Sequence, residues 1–138
     1  MEQELQHLST IDELTGADNR RHVLAEFEPH LANYIRYGSA FSLISMDIDH
    51  FKAVNDSYGH LVGDDVLKRF SEIVSERIRR TDIFARTGGE EFLILMPHTT
   101  RQFQMLIFWQ RDLEKRWRPS GSKLPITNIS RLLSAPEL

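Results

Sequence analysis

Two short stretches place paired acids beside backbone that a ligand can approach closely. One is Asp47-Ile48-Asp49. The other is Gly88-Gly89-Glu90-Glu91. Carboxylates from a strand end and a neighbouring hairpin are suitable oxygen ligands for magnesium. Magnesium so held can bridge nucleotide phosphates and stabilise an in-line displacement. The paired glycines let a ligand reach the main chain with no Cβ in the way. An Asp-x-Asp pair alone reads more readily as a solvated surface pair than as a metal site, and Asp49 also reads as a cap of the turn after the strand. His7, His22, His30, His50, His60 and His98 show no ligand spacing, so zinc is not expected. The absence of Cys removes thiol catalysis and iron–sulfur clusters.

The elements that must position these groups can be read from spacing. Leu5, Leu8 and Ile11 fit the last turns of an amphipathic helix over 1–10, and Asp12-Glu13-Leu14-Thr15-Gly16 reads as a turn. Asn19 is a candidate N-cap for a helix from about Arg20 to Arg36, which Pro29 should kink or split and Gly38 should end. Phe41 to Ile48 reads as a central strand, mostly apolar and ending at Asp47. His50 to Asn55 reads as about one helical turn. Asp64-Asp65 opens a helix to about Arg80, with the acids at its start and Arg77, Arg79 and Arg80 at its end complementing the dipole. Residues 82–86 and 91–96 read as a hairpin turned by Thr87-Gly88-Gly89-Glu90 and closed by Pro97, with Phe92 in the core. Residues 103–117 read as a helix without a clean stripe, and 118–138 as loop-like or disordered.

The full string says more than its parts. Asp12-Glu13-Leu14-Thr15-Gly16 with Asn19-Arg20-Arg21, Met46 to Lys52, Asn55-Asp56, Tyr58-Gly59-His60, Gly63-Asp64 and Gly88-Gly89-Glu90-Glu91-Phe92 occur in one order. This closely resembles the GGDEF family of diguanylate cyclases, over about residues 9–100. Ala17 stands where the family usually has Leu. The resemblance implies an α/β fold, a mixed sheet flanked by helices, related to nucleotide cyclases and polymerase palm domains. It implies condensation of two GTP into cyclic di-GMP with release of pyrophosphate, by two subunits meeting face to face. Magnesium, or manganese, would be held by Asp47, Glu90 and the Ile48 carbonyl. Glu91 would lie beside the reacting centre, where it would assist metal binding or deprotonation of the 3′-hydroxyl, so Glu90 and Glu91 are the implied catalytic residues. Asn55 and Asp64 would read guanine, Gly88 and Gly89 would let the hairpin approach the nucleotide, and His50, Phe51 and Lys52 would meet the terminal phosphates. Arg79 and Asp82 would form an inhibitory product site.

The 138 residues fit one domain. No apolar run is long enough to span a membrane and the N-terminus is unlike a signal peptide, so a cytoplasmic location is the default expectation. Residues 1–100 carry 10 Lys/Arg against 17 Asp/Glu, and 101–138 carry 7 against 3. The basic stretch begins where the family pattern stops. The division expected is a connecting-helix end at 1–10, a partial GGDEF domain at 11–100 and an atypical tail at 101–138, partly helical or disordered, from truncation or a shifted reading frame. Its nearest string to the family's next strand is Leu124 to Ser130. Three readings follow: a working cyclase, an inactive remnant that at most binds cyclic di-GMP or GTP, and an interaction module with a basic tail. Nucleic-acid binding is not expected.

Overall fold

Between Phe41 and Asp47 the apolar side chains go to both sides of the pleat, so this strand must be covered twice. The computed structural model describes residues 9–48 and 50–98, and the backbone of 128–134. In chain order the elements are β1 (Asp18–Asn19), α1 (Arg20–Tyr37), β2 (Phe41–Asp47), α2 (Phe51–Tyr58), α3 (His60–Ser75), β3 (Ile83–Arg86), β4 (Glu91–Pro97) and β5 (Asn128–Ser134). The sheet order is β1-β3-β4-β2-β5. β1 runs parallel to β3, while β4 is antiparallel to both its neighbours and β5 is antiparallel to β2. The sheet is therefore mixed, with helices on its faces, as the resemblance implies.

Crossover handedness explains which helix lies where. β1, β2 and β3 point the same way, but the chain moves one way across the sheet from β1 to β2 and the other way from β2 to β3. Right-handed connections then put α1 and α3 on opposite faces. The core divides accordingly. Ile44, Met46, Ile48, Phe92, Ile94 and Met96 pack with Leu67, Phe70, Ile73 and Val74 of α3. Phe41, Leu43, Ala85 and Leu95 pack with Val23 of α1, supported by Phe27, Leu31 and Tyr34.

Local signals set several boundaries. Asn19 Oδ1 accepts from the His22 N–H at 2.9 Å, which makes it the N-cap of α1. Gly38 ends α1 in a left-handed conformation and donates to the Tyr34 carbonyl at 2.9 Å. Pro29 does not split α1, which continues through it. Phe27, Leu31 and Tyr34 are anchored on the sheet to either side of Pro29, and this packing outweighs one lost backbone bond.

Other expectations need correction. The helix expected from Asp64 begins at His60, because Gly59, at φ 88°, both ends α2 and starts α3. Asp64 and Asp65 therefore lie beyond its first turn. α3 stops at Ser75, so Arg77, Arg79 and Arg80 follow the helix and do not sit in its last turn. α2 is eight residues long, more than the turn expected over His50 to Asn55. Residues 128–134, read from sequence as loop-like, form β5 against β2, with Asn128 opposite Asp47 and Ser134 opposite Ser42. That strand overlaps the string Leu124 to Ser130. The readings of 1–8, of Asp49 and of a helix over 103–117 lie outside the described residues.

Candidate functional site

Strand register decides the placement of the acids. Asp47, the last residue of β2, is the direct cross-strand partner of Glu91, the first residue of β4. Opposed side chains on such a pair lie within about 4.5–5.5 Å at Cβ. One residue further out, the Ile48 N–H donates to the Glu90 carbonyl at 3.2 Å. The carbonyl-bearing backbone at Ile48 and the acids Asp47, Glu90 and Glu91 thus meet at one end of the sheet. Asp47 and Glu90 are half-buried, whereas Glu91 is exposed. Hard oxygen donors from two adjacent strands suit a magnesium-sized ion. Among the described residues no three His, Asp or Glu side chains already converge as a cluster.

The hairpin tip is held tightly. Thr87 and Gly88 both donate to the Glu91 carbonyl, at 2.8 and 3.3 Å. A Cβ on Gly88 would stand 2.9 Å from Glu91 Oε2, so the carboxylate folds back over a place only glycine leaves open. On the α1 side, Glu91, Thr87 and Ser45 line a groove of about 610 Å³ whose floor is Val23, Phe27 and Leu93.

Asp12, from the turn before β1, reaches this hairpin. Its carboxylate accepts from the Thr15 N–H and hydroxyl, at 3.1 and 2.7 Å, and pairs with Arg86 at 3.3 Å. Arg86 Nε in turn donates to the Gly89 carbonyl at 3.1 Å. The sequence places Asp12 in a turn and in the family string but gives no sign of its partner Arg86. A charge pair 74 residues apart in sequence has no local signal. Both side chains are about one-fifth exposed. Arg86→Ala and Asp12→Asn should each lower stability by about 1 kcal/mol. The double variant should lose less than the sum of the two single losses, because the shared ion pair is removed only once. Strictly additive losses in urea unfolding would contradict the pairing.

The expected nucleotide-contact residues fall beside the acidic end. His50 precedes α2 in a left-handed conformation, φ 54°, and Phe51 and Lys52 form the first turn. Asn55 is half-buried, with its Oδ1 enclosed and without a hydrogen-bond partner among the described residues. Asp64 lies on the facing helix, half-buried. At the sheet's other end, the Asp82 carboxylate is fully buried and accepts from the Arg79 N–H at 2.8 Å and from its guanidinium at 3.0 and 3.3 Å. Arg79 also donates to the Pro97 carbonyl at 3.2 Å. Near the start of α1, burial pushes the Asp18 carboxyl above its ordinary range, opposed by His22 and reinforced by Glu26.

No helix among the described residues is long and apolar enough to cross a membrane. The family model for the diguanylate cyclase GGDEF domain matches residues 9–129, past the point where recognisable motifs stop. The chain is 45% identical over 89 residues to the diguanylate cyclase DgcP of Pseudomonas aeruginosa, covering 64% of this chain and 13% of that protein. It is 37% identical over 131 residues to the diguanylate cyclase DgcM of Escherichia coli, covering 95% of this chain and 30% of that one. The chain thus spans less than a third of either curated relative. A crystal structure of the coiled coil and GGDEF domain of DgcB from Caulobacter crescentus, in complex with c-di-GMP, superposes with a TM-score of 0.74 at 26% identity, over 91% of this chain and 69% of that one. With these matches, and with the acidic strand end and glycine hairpin meeting as they do, the chain belongs to the GGDEF family.

Proposed function

We propose that this chain is the nucleotide-joining core of a diguanylate cyclase, in which two copies face each other and join two GTP into cyclic di-GMP. The observation that carries this is the register that sets Asp47 opposite Glu91 and ties Ile48 to Glu90. Asp47, Glu90 and the Ile48 carbonyl would hold magnesium or manganese, which supplies charge neutralisation on the phosphates when bound. The residues of this chain do the rest. Asn55 and Asp64 orient the base: the amide offers donor and acceptor, and the carboxylate accepts from guanine N1 and N2. The open backbone of Gly88 and Gly89 lets the hairpin close on the nucleotide. The main chain at His50 and Phe51, with the Lys52 ammonium, holds the terminal phosphates.

In each half-reaction the 3′-oxygen of one GTP bonds to the α-phosphorus of the other. The bond from that phosphorus to the bridging oxygen breaks, and pyrophosphate leaves. Glu91 would take the hydroxyl proton. Because each nucleotide is attacked by the other, one copy is not enough; positioning dominates the rate.

The product would be sensed at Arg79 and Asp82. The Arg79 side chain is about half exposed while Asp82 is enclosed, so product phosphate would engage the guanidinium first. The deciding experiment incubates the purified protein with GTP and Mg²⁺ and looks for cyclic di-GMP, with Glu90→Ala as control. Product from the wild type and none from the variant is the expected result. GTP binding without product from a folded sample would instead assign a nucleotide-binding remnant.

A further inference from the structure

α3 contains a buried glycine, Gly63, one turn from its start. Gly63 is not among the residues with positive φ, so its backbone would accept alanine. Alanine is also the better helix former. Space, not conformation, must be the reason for glycine here. By contrast Gly16 and Gly59, at φ 75° and 88°, have open space where a Cβ would go.

What fills the space beside Gly63 is the side chain of Asn55 from α2. A Cβ on Gly63 would clash with Asn55 Oδ1 and stand 3.0 Å from Asn55 Cγ. The Phe51 ring closes the same space from α2, standing 3.3 Å from where that Cβ would be. The Asn55 backbone is fixed as well, its carbonyl accepting from the Gly59 N–H at 2.8 Å. Asn55 Oδ1 is enclosed and has no hydrogen-bond partner among the described residues. A buried acceptor left unmet is unfavourable, so it calls for a partner such as a ligand or a water.

We propose that Gly63 is a positioning residue for nucleotide recognition: its missing side chain is the slot that holds the Asn55 amide at the angle needed to meet the base. This rests on the reading of Asn55 as a guanine contact and adds the residue that sets its orientation. Gly63 itself touches no ligand. Its neighbour Asp64, the other proposed base contact, stays in place when the slot is filled, so recognition weakens without being abolished.

The test uses the full chain in four forms: wild type, Gly63→Ala, Asn55→Ala and the double variant. Affinity for GTP with Mg²⁺ is measured by calorimetry, and unfolding is followed by circular dichroism. Gly63→Ala should weaken GTP binding about 10-fold, which is about 1.4 kcal/mol. In the Asn55→Ala background the same change should leave GTP affinity unaltered and raise the melting temperature, because the clash has gone and the helix gains. Wild-type affinity in Gly63→Ala overturns the inference while leaving the functional reading standing. So does an equal loss of affinity in both backgrounds. No GTP binding by the folded wild type overturns the functional reading, and this inference with it.

Discussion

Phe92→Ala should destabilise the protein by about 3–5 kcal/mol, a large share of the roughly 5–15 kcal/mol that holds a typical domain together. Phe92 is fully buried and starts the core run of β4. Its ring stacks on Phe84 at 5.3 Å between centroids, inclined by 11°, and meets Phe70 of α3 at 4.8 Å. Removing it leaves a cavity beside the Phe70 and Phe84 rings, which themselves meet edge-on at 6.4 Å between centroids. The position is also one residue from Glu91, so loss of packing here loosens the strand start that carries the acids. Denaturant unfolding of the two proteins measures the effect. A loss below about 1 kcal/mol would mean the three rings are not the keystone of this face.

Asp47→Asn and Glu90→Gln should each lower cyclic di-GMP formation by about 100-fold or more, with little change in stability. Both replacements keep shape and remove one negative charge. An amide oxygen remains a ligand, but a poorer one for a hard dication. The expected signature is partial rescue by raised Mg²⁺ or Mn²⁺ for either variant, while Glu91→Gln, if Glu91 takes the proton as proposed, stays low at every metal concentration. A direct readout is Mn²⁺ binding by electron paramagnetic resonance: weaker for the first two variants, unchanged for the third. Tight Mn²⁺ binding by Asp47→Asn would move the metal site elsewhere.

Much of this was legible in the sequence because the signals are local. Asn19 caps and Gly38 stops α1 through bonds within four residues of each. The hairpin at Gly88-Gly89 announces itself, whereas the register that sets Asp47 opposite Glu91 is visible only once β2 and β4 pair. What escaped is tertiary. β1 has only two residues and exists because β3 offers it an edge. β5 has no clean alternation of apolar residues, and its strand form comes from pairing with β2. The start of α3 was misplaced because acids were read as a first turn, when Gly59 had already restarted the helix at His60. The Arg79-x-x-Asp82 pattern was visible, but not that its carboxylate would be enclosed by its own arginine. Gly63 was visible as a motif residue, but its reason lies on another helix.

The order of the strands also bears on how the protein comes to be made. β2, whose last residue is Asp47, forms its ladders with β4 and β5, which both follow it in the chain. During synthesis it leaves the ribosome with both edges bare, and its first lasting partner, Glu91 to Pro97, arrives 44 residues later as counted from Asp47 to Glu91. Its other edge closes only with Asn128 to Ser134. Such distant pairings form slowly and leave a sticky apolar strand exposed meanwhile. The strand that carries the first acid is thus secured late, only once β4 and then β5 have been delivered.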